Sequence, residues 1–147
     1  IKAMRSAVQY ADIIKVSEQE LQLVTDCGAL IPGVAKLLGS GVKIICVTQG
    51  AKGCIIATSK GIERYPAYKV KSVDTLGSGD SFLGAFLYKL LELGKAPEEL
   101  DSDDILEMAM FSNACGALCS TKQGAIPAMP EKDEIIKLME TVKPEKN

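Results

Sequence analysis

Two glycines, a serine and an aspartate stand together in VDTLGSGDSFLGAFLYKLLEL, residues 73–93, and their types and spacing could do chemistry. An apolar run typical of a helix follows, so Gly77, Ser78 and Gly79 come where a helix begins and Asp80 in its first turn. Backbone amides at a helix start lack intrahelical partners and lie at the positive end of the helix dipole. Glycine permits positive φ angles and lets an anion approach these amides closely. The segment therefore predicts an anion-binding turn.

A carboxylate beside such a turn indicates a particular reaction. A turn that only bound phosphate would avoid Asp80, because the carboxylate repels the ligand. The two features fit together if negative charge develops on a transferring group while a nearby hydroxyl loses its proton. The amides would stabilise the charge and Asp80 would accept the proton, which describes phosphoryl transfer to an alcohol. The alternative is that Asp80 only caps the helix.

The composition excludes several other kinds of chemistry. The 147-residue chain contains no histidine, so Ser-His-Asp and Cys-His schemes within it are excluded, and a general base would be a carboxylate or a lysine. No Walker A loop occurs, and Phe82 stands where a G-x-G-x-x-G motif needs its last glycine. The net charge of −2, with acids and bases interspersed, predicts neither a nucleic-acid surface nor a polybasic membrane patch.

Strands and helices alternate around this segment, which predicts an α/β sheet with two parallel strands plus a hairpin. The helix around 79–93 is apolar around much of its circumference and needs neighbours on several sides, so we expect the chain to be part of a larger domain. Ser102 or Asp103 is the expected N-cap of the next helix. The predicted elements are a strand at 11–17, a helix over EQELQLV, a helix at 31–41, a strand at 42–50, a hairpin at 51–67, and helices at 79–93, 105–121 and over EKDEIIKLMETV.

Five cysteines at irregular spacing, with no export signal at the N-terminus, predict reduced thiols in a cytoplasmic protein. Cys115 and Cys119 share a helical face and could be half of a metal site. Burial as small residues fits them better, because the sequence has no CxxC motif and no histidine.

The segment DTLGSGDSFLGAF closely resembles the C-terminal signature of the PfkB, or ribokinase-like, carbohydrate kinases, usually D-T-x-G-A-G-D. The resemblance extends from IIKVSEQEL to KQGAIPAMP in the family's order. It implies that Asp80 is the catalytic base and that Gly77, Ser78 and Gly79 form the anion hole for the γ-phosphate. Ser78 stands where the family commonly has alanine, a change that a role carried by backbone amides should tolerate.

The same resemblance implies a fold and a domain organisation. The fold would be α/β, a partial three-layer αβα ribokinase-like (Rossmann-like) sheet with an antiparallel hairpin at the sheet edge. Residues 1–147 would be the C-terminal, nucleotide-binding half of the kinase domain, without the sugar-binding half and the lid. We expect this segment alone to be inactive, because nothing in it would position the acceptor hydroxyl.

Two further segments are similar to nucleotide-site motifs of the family. Ser17-Glu18-Gln19-Glu20 resembles N-x-x-E, which implies that Glu20 helps to place Mg2+ through water and that Ser17 replaces the usual asparagine near ATP. Without the resemblance, Glu20 is an exposed acid in a first helical turn. The second segment is similar to the family's T-x-G-x-x-G loop, which runs along the ATP phosphates; its residues here are Thr48, Gln49, Gly50, Ala51, Lys52 and Gly53. A plain hairpin turn would have the same sequence pattern.

The remaining implied positions concern adenine and a monovalent cation. Asn113 falls where the family often lines adenine, although an interhelical hydrogen bond is an equal alternative. Many relatives hold a monovalent cation such as K+ beside the anion hole, largely through backbone carbonyls, and a loop without the cation is the alternative here. By matching position the cation ligands would be Asp74, Leu76, Cys119, Lys122 and Gly124.

The resemblance finally implies the partners. These are ATP, Mg2+ and a small-molecule sugar; relatives often form homodimers through the lid, which leaves the oligomeric state of this protein open. The charge balance predicts no nucleic-acid and no membrane partner. DIIKVSEQEL and VDTLGSGDSFLGAFL resemble fructokinases more than ribokinases or adenosine kinases, which favours the fructose 6-hydroxyl as acceptor. Kinases of another sugar, a keto-sugar acid, a vitamin precursor or a nucleoside, and a non-catalytic kinase-like subunit, are the alternatives.

Overall fold

The computed structural model describes residues 2–144, and these divide into two compact units. The first unit comprises the residues up to Gln49 together with Cys54–Arg64. The second comprises Gly50–Gly53 and the residues from Tyr65 onwards.

A four-stranded sheet in the order β1-β2-β3-β4 forms the centre of the first unit. β1 and β2 are parallel, with Ser17 opposite Thr48 at their carboxyl ends, and β2 pairs antiparallel with β3. A two-residue turn joins β3 to β4, as in a hairpin, so the predicted pair of parallel strands and the hairpin at the sheet edge are confirmed. The strands are β1 (Ile13–Ser17), β2 (Ile44–Thr48), β3 (Cys54–Thr58) and β4 (Gly61–Tyr65).

Three helices belong to the first unit: α1 (Lys2–Ala7), α2 (Glu18–Thr25) and α3 (Leu30–Gly39). Apolar residues of α2, α3 and the strands form one core, which includes Leu21, Val34 and Ile45. Packing between the helices is close, since a Cβ on Gly33 would lie 3.0 Å from the Leu21 Cγ. No single helix in the described range is long and apolar enough to cross a membrane; α2 and α3 together, bent by 56°, meet that test by length and composition only.

The second unit contains three longer helices: α4 (Ser78–Leu93), α5 (Ser102–Cys119) and α6 (Lys132–Thr141). Its core brings Ala85 of α4, Phe111 of α5 and Ile135 of α6 together. The covering of α4 is incomplete within the described chain, because Leu91 is 80% exposed while Phe86 is fully buried. That this helix has further neighbours outside the described chain stays a prediction.

The N-cap of α5 differs from the sequence expectation. Asp101, not Ser102 or Asp103, is the N-cap, because its carboxylate accepts hydrogen bonds from the amides of Asp103 and Asp104. The Asp104 carboxylate in turn accepts hydrogen bonds from the Asp101 amide at 2.9 Å and from the Lys95 ammonium at 2.6 Å. This reciprocal capping box selects one cap among several neighbouring residues that could serve.

A charged network ties the three helices of the second unit together. The buried Lys89 ammonium contacts the carboxylates of Glu92 and Glu107, and Glu92 also accepts from the Lys132 ammonium at 2.9 Å and the Tyr88 hydroxyl at 3.1 Å. The hydrogen bond from Lys89, followed by those from Lys132 and Tyr88, lowers the pKa of Glu92 to about 2. The network therefore favours the charged form of Glu92 at neutral pH.

None of the five cysteines forms a disulfide, and four of them are buried, as the sequence predicts. Within residues 2–144, no group of three or more His, Cys, Asp or Glu side chains could hold a metal ion. Cys115 instead pairs with Ser81, whose hydroxyl lies 2.9 Å from its sulfur. Burial raises the pKa of the Cys115 thiol, which favours the neutral, unreactive form.

Candidate functional site

The turn before α4 has the conformation that the glycines predict. Gly77 is the N-cap of α4 with φ +80°, and a Cβ there would lie 2.8 Å from the Ala125 Cβ, so only glycine fits. The Ser78 amide donates to the Thr75 carbonyl at 3.2 Å, and the Ser81 amide starts the helix by donating to the Gly77 carbonyl. No described residue accepts a hydrogen bond from the amides of Gly79 or Asp80. The amides of the first turn are thus open to an anion, except for that of Ser78.

Asp80 is exposed in the first turn of α4, and no described residue forms a hydrogen bond or ion pair with its carboxylate. No side chain caps this helix, so the hydrogen bond that the capping alternative requires is not present. A carboxylate in this position can accept a proton from a bound hydroxyl without first breaking a contact within the described protein.

Ser78 carries an unusual hydroxyl. Its Oγ is buried and has no hydrogen-bond partner among the described residues. The Ser78 carbonyl lies close to α5, because a Cβ on Gly116 would be 3.2 Å from it. The side chain therefore contributes no hydrogen bond to the described turn, which agrees with a role carried by the backbone.

The five residues matched to a cation site are linked by hydrogen bonds. Asp74 accepts from the Leu76 amide with Oδ1 and from the Gly124 amide with Oδ2, each at 3.0 Å. The Cys119 sulfur donates to the Leu76 carbonyl at 3.8 Å, and the Lys122 amide donates to the Cys119 carbonyl at 3.4 Å. The hydrogen bonds from the amides of Gly124 and Leu76 lower the pKa of Asp74, so the cluster contains a fixed negative charge.

The matched adenine residue, Asn113, is buried and donates its side-chain amide to the carbonyls of Pro66, at 2.9 Å, and Tyr65, at 3.3 Å. Its partners are thus the last residue of β4 and the residue directly after it, not residues of a neighbouring helix. Gly53 approaches the same backbone, since a Cβ on it would lie 2.0 Å from the Tyr65 carbonyl oxygen. The structure therefore brings Asn113 and the last glycine of the TQGAKG loop to one stretch of backbone.

The rest of that loop is open. Gly50, Ala51 and Lys52 form a single exposed 3-10 turn, which is closed by a hydrogen bond from the Gly53 amide to the Gly50 carbonyl at 3.0 Å. Gly50 has φ +58°, and a Cβ on it would meet nothing within 4 Å. The two glycines of the loop thus differ: Gly53 is required by packing, whereas Gly50 faces open space.

In the first unit, Ser17 and Thr48 close the carboxyl ends of the two parallel strands, where α/β proteins commonly bind ligands. Glu20 forms a capping box with Ser17: its Oε2 accepts from the Ser17 amide at 2.7 Å, and its own amide donates to the Ser17 hydroxyl at 3.2 Å. The hydrogen bond from the Ser17 amide, which outweighs partial burial, lowers the pKa of Glu20. Glu20 is therefore a fixed, ionised carboxylate and not a freely exposed one.

Sequence reasoning missed two side chains that hold Gln49. Gln49 donates from Nε2 to the Glu18 carboxylate at 2.6 Å and accepts at Oε1 from the Arg64 guanidinium at 2.9 Å. Glu18 lies inside the SEQE motif, which gave a weak signal, but Arg64 is reached only because the hairpin turns the chain back.

A small cavity of about 260 Å³ lies along α2 in the first unit. Its lining residues are Glu18, Gln19, Leu21, Gln22 and Leu30, so it contains none of the residues that the motifs select. It is smaller than the cavities of about 300–1,000 Å³ that usually hold cofactors, and we assign no ligand to it.

Comparison with known proteins gives a consistent answer. The model of the family described as "pfkB family carbohydrate kinase" matches residues 1–132. The chain is 45% identical over 143 residues to "Probable fructokinase-5" of Arabidopsis thaliana, covering 96% of this chain and 43% of that protein. It is 42% identical over 133 residues to "Fructokinase-1" of Oryza sativa subsp. japonica, covering 89% of this chain and 40% of that protein. The chain thus spans about two fifths of the length of these relatives.

Solved structures show the same fold. The fructokinase from Vibrio cholerae O395 in fructose, ADP and calcium ion bound form superposes with a TM-score of 0.84 at 33% identity, over 91% of this chain and 42% of that one. The ribokinase from Thermotoga maritima gives a TM-score of 0.80 at 30% identity, over 93% of this chain and 45% of that one. These matches confirm a partial ribokinase-like α/β fold. Since the family model covers nine tenths of the residues, the chain belongs to the pfkB family of carbohydrate kinases.

Proposed function

We propose that the protein containing this chain transfers the γ-phosphoryl group of ATP to a hydroxyl of a sugar, and that the sugar is fructose, phosphorylated at its 6-hydroxyl. The single observation that supports the transfer is the position of Asp80. It is an exposed carboxylate without a protein partner among the described residues, in the helical turn whose amides are open to an anion.

In the proposed reaction Asp80 takes the proton from the sugar hydroxyl as the hydroxyl oxygen bonds to the γ-phosphorus. The bond from that phosphorus to the β,γ-bridging oxygen breaks, and ADP leaves with the electron pair. The amides of Gly77 and Gly79 stabilise the charge on the transferring group. The Ser78 amide can join them if its 3.2 Å hydrogen bond to Thr75 opens.

The TQGAKG loop, Ser17 and Asn113 are assigned to ATP binding. Thr48 is the last residue of β2 in the first unit, and Gln49 follows it. Gly50, Ala51 and Lys52 form an exposed turn whose first glycine leaves room for a ligand, and the buried Gly53 closes it. Ser17 lies opposite Thr48 at the strand ends. Asn113 contributes to adenine binding by fixing the backbone of Tyr65 and Pro66, because its amide donors are already used there.

The residues present fit Mg2+ and a monovalent cation. Glu20 is ionised, fixed by its capping box, and has one oxygen without a described partner, which suits a hydrogen bond to metal-bound water. When bound, Mg2+ would neutralise charge on the phosphates. The Asp74 cluster fits K+ in charge. Asp74 would fix the loop through the amides of Leu76 and Gly124, and the carbonyls of these two residues would be available as ligands.

Fructose is proposed as the acceptor because the curated relatives named above are fructokinases at 45% and 42% identity, and one solved neighbour is a fructokinase with fructose bound. Solved neighbours also include a ribokinase and an aminoimidazole riboside kinase, which keeps pentoses and ribosides as the competing acceptors. A panel of fructose, ribose and a riboside with the complete protein, read by ADP release, decides among them.

The test of the base is Asp80→Asn in the complete protein. The variant should lose about 10²–10⁴-fold in kcat, the usual contribution of a general base, while the Kd for ATP changes by less than about two-fold. Asp133→Asn is the matched control, since Asp133 is also an exposed acid in a first helical turn but lies on α6. Wild-type turnover by Asp80→Asn would show that the assignment is wrong.

A further inference from the structure

The Gln49 side chain is held at both ends by partners distant in sequence. Its Nε2 donates to Glu18, 31 residues away, and its Oε1 accepts from Arg64, 15 residues away. A carboxylate can only accept hydrogen bonds and a guanidinium can only donate them, so the two partners allow one orientation of the amide. These three residues, all in the first unit, form what we call the Gln49 clamp.

The Gln49 clamp lies where β2 ends and the TQGAKG loop turns. Gln49 follows the last residue of β2, whose Thr48 hydroxyl makes only a long hydrogen bond of 3.5 Å to the Val16 carbonyl. Gly50 comes next, with a positive φ and open space where a Cβ would lie, and its carbonyl accepts from the Gly53 amide at 3.0 Å, which closes the turn. The Gln49 side chain therefore adds two side-chain contacts directly after the last residue of β2 and directly before the turn.

The clamp lies at the surface, where hydrogen bonds and charge pairs contribute little to folding stability. It does restrict a segment that would otherwise lose conformational freedom when a ligand binds. Restricting a loop in advance raises affinity, because less ordering remains to be paid for on binding.

We propose that Glu18 and Arg64 are positioning residues for the nucleotide loop, acting through Gln49. This inference depends on the proposed function, because it takes the TQGAKG loop to contact the ATP phosphates. Neither residue needs to touch ATP: both act by fixing the Gln49 side chain and so the backbone that enters Gly50.

Charge and position make opposite predictions at Glu18. If Glu18 acts on the phosphates only as a negative charge, removing it strengthens ATP binding, and Glu18→Ala and Glu18→Gln behave alike. If Glu18 acts by holding Gln49, Glu18→Ala weakens binding. Glu18→Gln keeps an oxygen that can accept from Gln49 Nε2, so it restores affinity to near the wild-type value.

The experiment measures the Kd for ATP in the presence of Mg2+ by calorimetry, with the KM for ATP and kcat for fructose, in the complete protein. Glu18→Ala and Arg64→Ala should each raise Kd and KM by about five- to ten-fold, with a smaller change in kcat, as expected from losing roughly one hydrogen bond. The double variant should lose less than the product of the two effects, because both act through the same side chain.

Two controls separate positioning from general destabilisation. Gln19→Ala removes the neighbouring exposed side chain of α2, and Arg5→Ala removes another exposed arginine of the first unit that has its own hydrogen bonds to the Leu23 carbonyl. Both should leave the Kd for ATP unchanged. A purely structural role for Glu18 and Arg64 would lower the melting temperature without changing Kd.

The inference is overturned if Glu18→Ala and Arg64→Ala bind ATP within two-fold of wild type, or if Glu18→Ala and Glu18→Gln bind it more tightly. Either result leaves sugar phosphorylation by the wild type intact. If the wild type binds ATP but phosphorylates no sugar, the proposed function fails and the Kd series still decides the role of the clamp. If the wild type binds no ATP, both fail together.

Discussion

The two glycines of the TQGAKG loop should respond in opposite ways to the same substitution. Gly53 has φ +94°, and an added Cβ would lie 2.0 Å from the Tyr65 carbonyl oxygen and 2.8 Å from the Ala67 nitrogen. Carbon–oxygen contacts are normally about 3.3 Å or longer, so a backbone must move by more than about 1 Å. Asn113 opposes that movement, because it holds the Tyr65 and Pro66 carbonyls.

The magnitude for Gly53→Ala follows from two costs. A left-handed conformation costs an alanine about 1–2 kcal/mol, and forcing extra volume into a packed site costs about 1–3 kcal/mol more. With the lower entropy of the unfolded chain subtracted, about 0.4–1 kcal/mol, the variant should lose about 1–5 kcal/mol in free energy of unfolding. Gly50→Ala carries only the first cost, reduced by about 0.4–1 kcal/mol through the lower entropy of the unfolded chain, and should lose about 1 kcal/mol.

The effect on ATP binding should be larger for Gly50→Ala than for Gly53→Ala, the reverse of the order for stability. Gly50 faces open space, because no protein atom lies within 4 Å of an added Cβ. In the proposed function that space is taken by the ATP phosphates. Gly50→Ala should raise the KM for ATP by about ten-fold, equivalent to about 1.4 kcal/mol of lost binding. Urea unfolding gives the stabilities and steady-state kinetics give KM. Equal destabilisation by the two variants would refute the close-approach argument for Gly53, and an unchanged KM in Gly50→Ala would refute the ligand-facing role of Gly50.

Two other perturbations test particular contacts. Ser78→Ala removes a buried hydroxyl without a described partner and should raise the free energy of unfolding by about 1 kcal/mol, measured in urea titrations. Ser81→Ala breaks a hydrogen bond to Cys115 and should lower the free energy of unfolding by a similar amount. Destabilisation by Ser78→Ala would mean that the Ser78 hydroxyl has a partner. Glu92 has its pKa lowered from 4.5 to about 2, so its stabilisation is present above pH 4.5 and is lost as the pH falls towards 2. Glu92→Gln should therefore lose less stability than the wild type between pH 4.5 and 2, measured by thermal melting. Glu140 is an exposed residue on α6, and Glu140→Gln should leave the pH dependence of stability unchanged. A wild-type pH dependence in Glu92→Gln would contradict the role given to the lowered pKa of Glu92.

The sequence predicts the elements of this fold well because their signals are local. The apolar run before SEQE and the run IICVT each form a strand, and the glycines at 77 and 94 take the positive φ angles that begin and end α4. The cap of α5 was missed because LDSDD offers several residues that can cap. Only the positions of the amides and of Lys95 select Asp101, and these depend on the folded chain.

The sequence predicts the backbone conformation at the candidate site but not the hydrogen-bond partners of its side chains. Gly77 is predictable because a helix start that binds anions needs a residue without a Cβ, and Ala125 behind it explains why no other residue fits. The partners of Gln49 and Asn113 are not predictable, because they lie 15 to 48 residues away and are brought close by the hairpin and by α5. Residue type indicates that a polar side chain needs a partner but does not identify it.

Hydrogen bonding distinguishes the three acids that the family motifs select. Asp74 accepts backbone amides on both carboxylate oxygens, and Glu20 accepts one, and in each case these bonds lower the pKa of the group. A carboxylate with a lowered pKa is a poor proton acceptor, so both suit fixed negative charge near a cation. Asp80 accepts no hydrogen bond from the described residues. Its oxygens have no described partner, and this difference supports the proposed assignment of Asp80, rather than Asp74 or Glu20, as the base.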